Sequence, residues 1–92
     1  MSEYIEIETE PSDDQEVMYF YTNLRLTDQA EEVYESVEAM EEGSAVANAL
    51  AVVEGIETLK IEPSDLTVSK HPDAEWHAIV LDVTAVIKDF FL

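Results

Sequence analysis

The chain has 92 residues, 47% of them hydrophobic, with only two glycines and three prolines, the make-up of one folded domain spanning residues 1–92 rather than of a disordered acidic tail. Against 22 Asp and Glu it sets four Lys and Arg, a formal charge of -18, which excludes the clustered cations needed to grip a nucleic-acid backbone or an anionic membrane surface. There is no cysteine, so disulfides, thiolate metal sites and cysteine nucleophiles are excluded as well.

In chain order, "YIEIETE" alternates, with Ile5, Ile7 and Thr9 on one face and Tyr4, Glu6 and Glu8 on the other, as a half-buried strand does. "PSDDQE" follows as a polar loop. "VMYFYTN" is aromatic and β-prone throughout and is expected to pair with the first strand. Residues 24–42 read either as a short helix or as a ragged edge strand. In both cases their density of glutamates predicts a solvated surface segment.

Ser44, after Gly43, is a good helix N-cap, and Val46, Ala49, Leu50 and Val53 recur at helical spacing up to Gly55, which reads as the residue closing the helix. The alanines of this stretch let it lie close against a sheet. Leu59 and Ile61 alternate with Thr58, Lys60 and Glu62, "PSD" supplies a turn, and Leu66 and Val68 alternate with Thr67 and Ser69, which predicts a hairpin. Asp73 can cap a second helix with an apolar stripe of Trp76, Ile79, Val80, Val83, Val86, Ile87 and Phe90. The order ββαββα predicts a two-layer α+β domain, a largely antiparallel sheet with both helices on one face.

No constellation carries catalysis. His71, Asp73, Glu75 and His77 gather donor atoms within seven positions, but the histidines stand six apart across a helix start rather than four apart on one helical face, so no metal site is expected. The serines have cheaper explanations as caps and turns, there is no glycine-rich phosphate loop, and carboxylates are too abundant for any one pair to be informative. The expectation is a non-enzymatic protein without a cofactor. Trp76 reads as a packing anchor for the last helix.

An acidic surface of this density repels itself at low salt and is screened above about 1 M, where the Debye length is about 3 Å, so a halophilic setting is expected. "MSEYIEIETE" has neither a basic nor an apolar signal region, which predicts a cytoplasmic protein.

"GSAVANALAVVEGIETLKIEPSDLTVSK", followed by a short loop and "EW", resembles the N-terminal domain of the Nfu/NifU iron-sulfur scaffold family. Ser44, Ala45, Ala49, Leu50, Val53, Gly55, Ile56, Leu66, Val68, Lys70 and Trp76 stand at matching positions. Thr9, Glu10, Pro11 and Phe20 match the family's first two strands, whereas its Pro-Asn-Pro-Asn loop is replaced here by Asp13, Asp14, Gln15 and Glu16.

The family's cluster is held by a separate C-x-x-C domain. The resemblance therefore implies a stand-alone accessory module that works in cluster assembly by binding a protein partner, such as a cysteine-containing cluster scaffold, without carrying the cluster. The expected contact residues are Thr9, Glu10, Pro11, Tyr19, Tyr21, Lys70 and Trp76. The alternative is an acidic interaction or adaptor protein unrelated to metal clusters.

Overall fold

The computed structural model describes residues 5–91. Eight elements follow one another: β1 (Ile7–Pro11), β2 (Val17–Thr22), β3 (Glu32–Tyr34), α1 (Val37–Glu41), α2 (Ala45–Leu50), β4 (Ile56–Ile61), β5 (Asp65–Lys70) and α3 (Trp76–Phe91). The strands form one five-stranded sheet in the order β1-β2-β5-β4-β3, and every pairing is antiparallel. This is the expected two-layer α+β architecture, extended by a short edge strand and a short helix.

The hairpin of β4 and β5 pairs Leu59 with Val68 and Ile61 with Leu66, and Glu62 N–H bonds the Asp65 carbonyl at 2.8 Å across the turn. β2 joins it through Met18 opposite Val68 and Phe20 opposite Leu66. One sheet face thereby gathers Phe20, Leu59, Ile61, Leu66 and Val68, all buried beneath Met40, Val46, Ala47 and Leu50 of α1 and α2 and Ile79, Val83 and Ile87 of α3. Each large side chain buried this way contributes about 1.5–3 kcal/mol.

Residues 24–42 contain both elements that the sequence offered as alternatives. After β2 the chain crosses to the far edge of the sheet. Buried Leu26 holds it there, its N–H bonded to the Pro63 carbonyl at 2.7 Å. β3 then pairs with β4, and Ser36 caps α1 by accepting from Ala39 N–H at 3.1 Å. Ser44 caps α2 in the same way, accepting from Ala47 N–H at 3.3 Å.

Four details depart from the sequence expectation. The first strand starts at Ile7, and Tyr4 lies outside the described residues. α2 ends at Leu50 with Ala51 as its C-cap, because a separate turn intervenes before β4. Gly55, at φ 96°, completes that turn and does not close the helix. Asp73 does not cap α3. It lies in a turn closed by Ala74 N–H and the His71 carbonyl, and the first helical bond runs from Ile79 N–H to the Glu75 carbonyl. Finally, Phe90 is exposed. The buried stripe Ile79, Val83, Ile87 advances by four and reaches Phe91, which packs against the core.

Candidate partner-docking surface

The second sheet face carries no helix. Because side chains alternate across a strand, the register that turns Phe20, Leu66 and Ile61 inward turns their neighbours outward. A row of directly opposed residues then crosses all five strands: Glu10, Tyr19, Thr67, Lys60 and Val33. A second row places Glu8, Tyr21 and Asp65 beside it. Val33 is 57% exposed and Tyr21 38%.

Tyr19 and Tyr21 stack with ring centroids 6.5 Å apart. The Tyr21 hydroxyl donates to Glu10 Oε1 at 2.9 Å. That hydrogen bond, burial and the negative charges of Glu10 and Asp65 raise the Tyr21 pKa above the ordinary tyrosine value. Lys60 Nζ lies 3.5 Å from Glu31 Oε1, so the one cation of the row leans toward the rim. The face is an aromatic and aliphatic strip bordered by carboxylates, the composition of a docking patch with a polar rim.

The loop between β1 and β2 is built from its own side chains. Ser12 Oγ accepts from Asp14 N–H at 3.0 Å, and Asp14 Oδ1 accepts from Glu16 N–H at 2.8 Å. Two long-range bonds anchor it. Lys70 N–H donates to the Glu16 carbonyl at 2.9 Å, and the Trp76 indole N–H donates to the Gln15 carbonyl at 2.8 Å. Lys70 itself is buried, with Nζ donating to the His71 carbonyl at 3.2 Å.

The seven expected contact residues thus fall into three groups. Glu10, Tyr19 and Tyr21 lie together on the helix-free face. Thr9 and Pro11 are exposed on the outer strand, on its other side. Lys70, at the end of β5, and Trp76, at the start of α3, belong to the loop anchor and do not join the tyrosines. Lys60 and Val33 join this face although neither is among the seven expected contact residues. Lys60 was legible from its position between inward Leu59 and Ile61, while Val33 sat in the stretch whose pattern was ambiguous.

His71 Nδ1 faces Glu57 Oε2 at 3.1 Å rather than the neighbouring Asp73 or Glu75. Among the described residues no three His, Asp or Glu side chains are placed to hold a metal ion, and no helix is long and apolar enough to cross a membrane.

The family model for the scaffold protein Nfu/NifU N terminal matches residues 7–92. The chain belongs to the Nfu/NifU N-terminal family. It is therefore a module related to iron-sulfur cluster assembly, within a scaffold-type rather than a catalytic family.

Solved structures agree on the shape of this Nfu/NifU N-terminal domain. A NifU-like protein from Saccharomyces cerevisiae superposes with a TM-score of 0.76 at 20% identity, covering 92% of this chain and 76% of its own. Protein SAV1430 from Staphylococcus aureus gives a TM-score of 0.72 at 20% identity over 88% of this chain and 96% of its own. At these identities the likeness is one of fold. No curated protein matches the chain.

Proposed function

We propose that this Nfu/NifU N-terminal domain is a non-enzymatic, protein-binding accessory of iron-sulfur cluster assembly that does not itself hold the cluster. The observation that carries the reading is the pairing of a family match over residues 7–92 with a sequence that contains no cysteine. Iron-sulfur clusters are held by soft thiolates, and these residues supply none. A carboxylate-rich surface offers hard oxygen donors suited to other ions. In this reading the thiolates come from a separate cysteine-bearing unit that this domain contacts.

The helix-free face is the surface assigned to that partner. Tyrosines contribute large contact area at low entropic cost, and a rim of carboxylates supplies steering and register. The acidity outside the patch serves a high-salt, cytoplasmic setting in this reading.

The test is capture of the tagged chain from its own cells at native salt, with mass spectrometry of the bound proteins, repeated with Tyr19→Ala/Tyr21→Ala. Recovery of a cysteine-containing cluster scaffold, lost in the double variant, is expected. Recovery of no cluster-assembly protein overturns the reading.

A further inference from the structure

β1 is an outer strand of the sheet, and among the described residues its ladder to β2 turns a defined set of backbone groups away from any partner strand. At one end Asn23 N–H donates to the Glu6 carbonyl at 3.3 Å, and at the other Ser12 N–H donates to the Val17 carbonyl at 3.3 Å. In an antiparallel ladder every second residue faces the partner strand, so Glu8 and Glu10, opposite Tyr21 and Tyr19, are the bonded positions between those ends. The N–H and C=O of Ile7 and Thr9 therefore point outward, with the carbonyl of Pro11 closing the row. Pro11 has no N–H, which is tolerated because that position would have faced away from β2.

Beside this edge lies a groove of about 450 Å³ between β1 and α3, lined by Ile5, Glu6, Ile7, Glu8, Thr84 and Lys88. α3 does not cover the outer strand on the helix side: Ile7 is only half-buried, and Thr9 and Pro11 are exposed. On the other side of the same strand Glu8 and Glu10 face solvent from the tyrosine-bearing face.

We infer that the outer edge of β1 takes up an extended segment of a partner protein as a sixth strand, with basic residues over Glu8 and Glu10 alternating with apolar residues in the groove beside Ile7. Strand addition of this kind draws affinity from main-chain hydrogen bonds and specificity from alternate side chains. Charge decides the occupant. A second copy of this chain is disfavoured because antiparallel pairing of two β1 strands centred on Ile7, Glu8, Thr9 or Glu10 sets at least one glutamate directly opposite another. The same glutamates attract lysine or arginine. On the groove side Lys88 is offset by Glu6 and Glu8, and it is the apolar side chains of Ile5 and Ile7 that favour apolar partners there, so the pattern required is alternating and not merely basic. Pro11 bounds the pairing at one end. The inference rests on the reading of the chain as a protein-binding module and specifies the kind of segment bound.

The experiment uses the isotope-labelled full chain and two synthetic peptides of equal composition, one alternating lysine and valine, the other with its lysines and valines in two blocks. The alternating peptide is expected to bind saturably, to slow amide exchange at Ile7 and Thr9, and to bind about tenfold more tightly than the blocked one. Thr9→Pro removes one outward N–H while leaving the β2 ladder intact, and Glu8→Lys reverses a facing charge. Both are expected to weaken the alternating peptide with the β2 and β5 amide signals unchanged. Equal affinity for the two peptides, unaltered exchange at Ile7 and Thr9 at saturation, or full binding by a folded Thr9→Pro variant each overturns the inference. Those results leave capture of a cysteine-bearing scaffold on the tyrosine face untouched, so the two readings fail separately.

Discussion

The indole N–H of Trp76, at the first position of α3, donates to the backbone carbonyl of Gln15 at 2.8 Å, tying the last helix to a loop 61 residues earlier. The sequence reading of Trp76 as an anchor is thereby given a second half. The ring packs against the core, and its polar edge fixes the loop between β1 and β2. Trp76→Phe keeps the aromatic body and deletes the donor, so the cost is that of one hydrogen bond to a part-exposed carbonyl, about 0.5–1.5 kcal/mol. Urea denaturation measures it. Amide exchange at residues 13–16 should quicken in the variant. An unchanged midpoint together with unchanged exchange would show that Ser12, Asp14 and the Lys70 amide hold the loop without the indole.

Glu32 joins three segments. Its Oε2 accepts from the Thr27 hydroxyl and its Oε1 from the Tyr34 hydroxyl, each at 2.5 Å, and the Tyr34 oxygen in turn accepts from Ser44 N–H at 3.2 Å. Burial pushes the Glu32 pKa up, but hydrogen bonds from Thr27, Tyr34 and Ser44 outweigh it and leave the pKa below the ordinary glutamate value. A folded-state pKa below the unfolded one contributes stability that is present above the unfolded pKa and is lost as pH falls through the folded pKa. Glu32→Gln should therefore be less stable than the parent at neutral pH, with the gap closing as the solution is acidified below the usual carboxylate range. Tyr34→Phe, which removes a donor to a charged group, should cost about 1.5–3 kcal/mol at neutral pH. A gap between parent and Glu32→Gln that stayed constant with pH would rule this out.

The elements easiest to see in the sequence are those whose pattern is local. β4 and β5 alternate about a Pro-Ser-Asp turn, and from Thr58 to Ile61 their register matches that alternation, with a bulge between Ile56 and Thr58 at the far end. Residues 24–42 were opaque because β3 has three residues and α1 five, too few for either period to declare itself. What fixes them is tertiary: the pairing of β3 with β4, buried Leu26, and the bonds around Glu32. The helix-free face was half legible for a related reason. "VMYFYT" is apolar on both sides, so only the partner strands, which set Phe20 against Leu66, decide that Tyr19 and Tyr21 face outward.

Gly55 is a position where the backbone leaves little choice. Its φ is 96°, in the left-handed region, and an added Cβ would stand 2.9 Å from Ala74 Cβ and 3.2 Å from Ile79 Cδ1. Gly55→Ala therefore combines an unfavourable backbone with a contact against the start of α3, and about 1–3 kcal/mol of destabilisation is expected. The Gly55 carbonyl also accepts from His71 N–H at 2.9 Å, so relaxing the turn would lose that bond. Thermal unfolding tests this. A melting temperature equal to the parent's would mean that the turn rearranges without cost.

Salt dependence is the broadest consequence of the composition. With 22 acidic residues against four Lys and Arg, neighbouring carboxylates repel one another in the compact state more than in the open chain. The described ion pairs relieve little of this: Arg25 with Asp28 and Lys60 with Glu31 are exposed pairs of small worth. Raising the salt to about 1 M shortens the Debye length to about 3 Å, which removes most of the repulsion between surface charges and also strengthens apolar burial when the anion is excluded from the surface. The two effects are separable, because chloride screens while sulfate at equal ionic strength also promotes burial. Circular dichroism and denaturant titration in low salt, in about 1 M chloride and in sulfate of matched ionic strength should show stability rising in both salts, with an additional gain in sulfate. A stability independent of chloride would mean that the carboxylates are spaced widely enough to be harmless in water, and the high-salt reading of the acidity would fall.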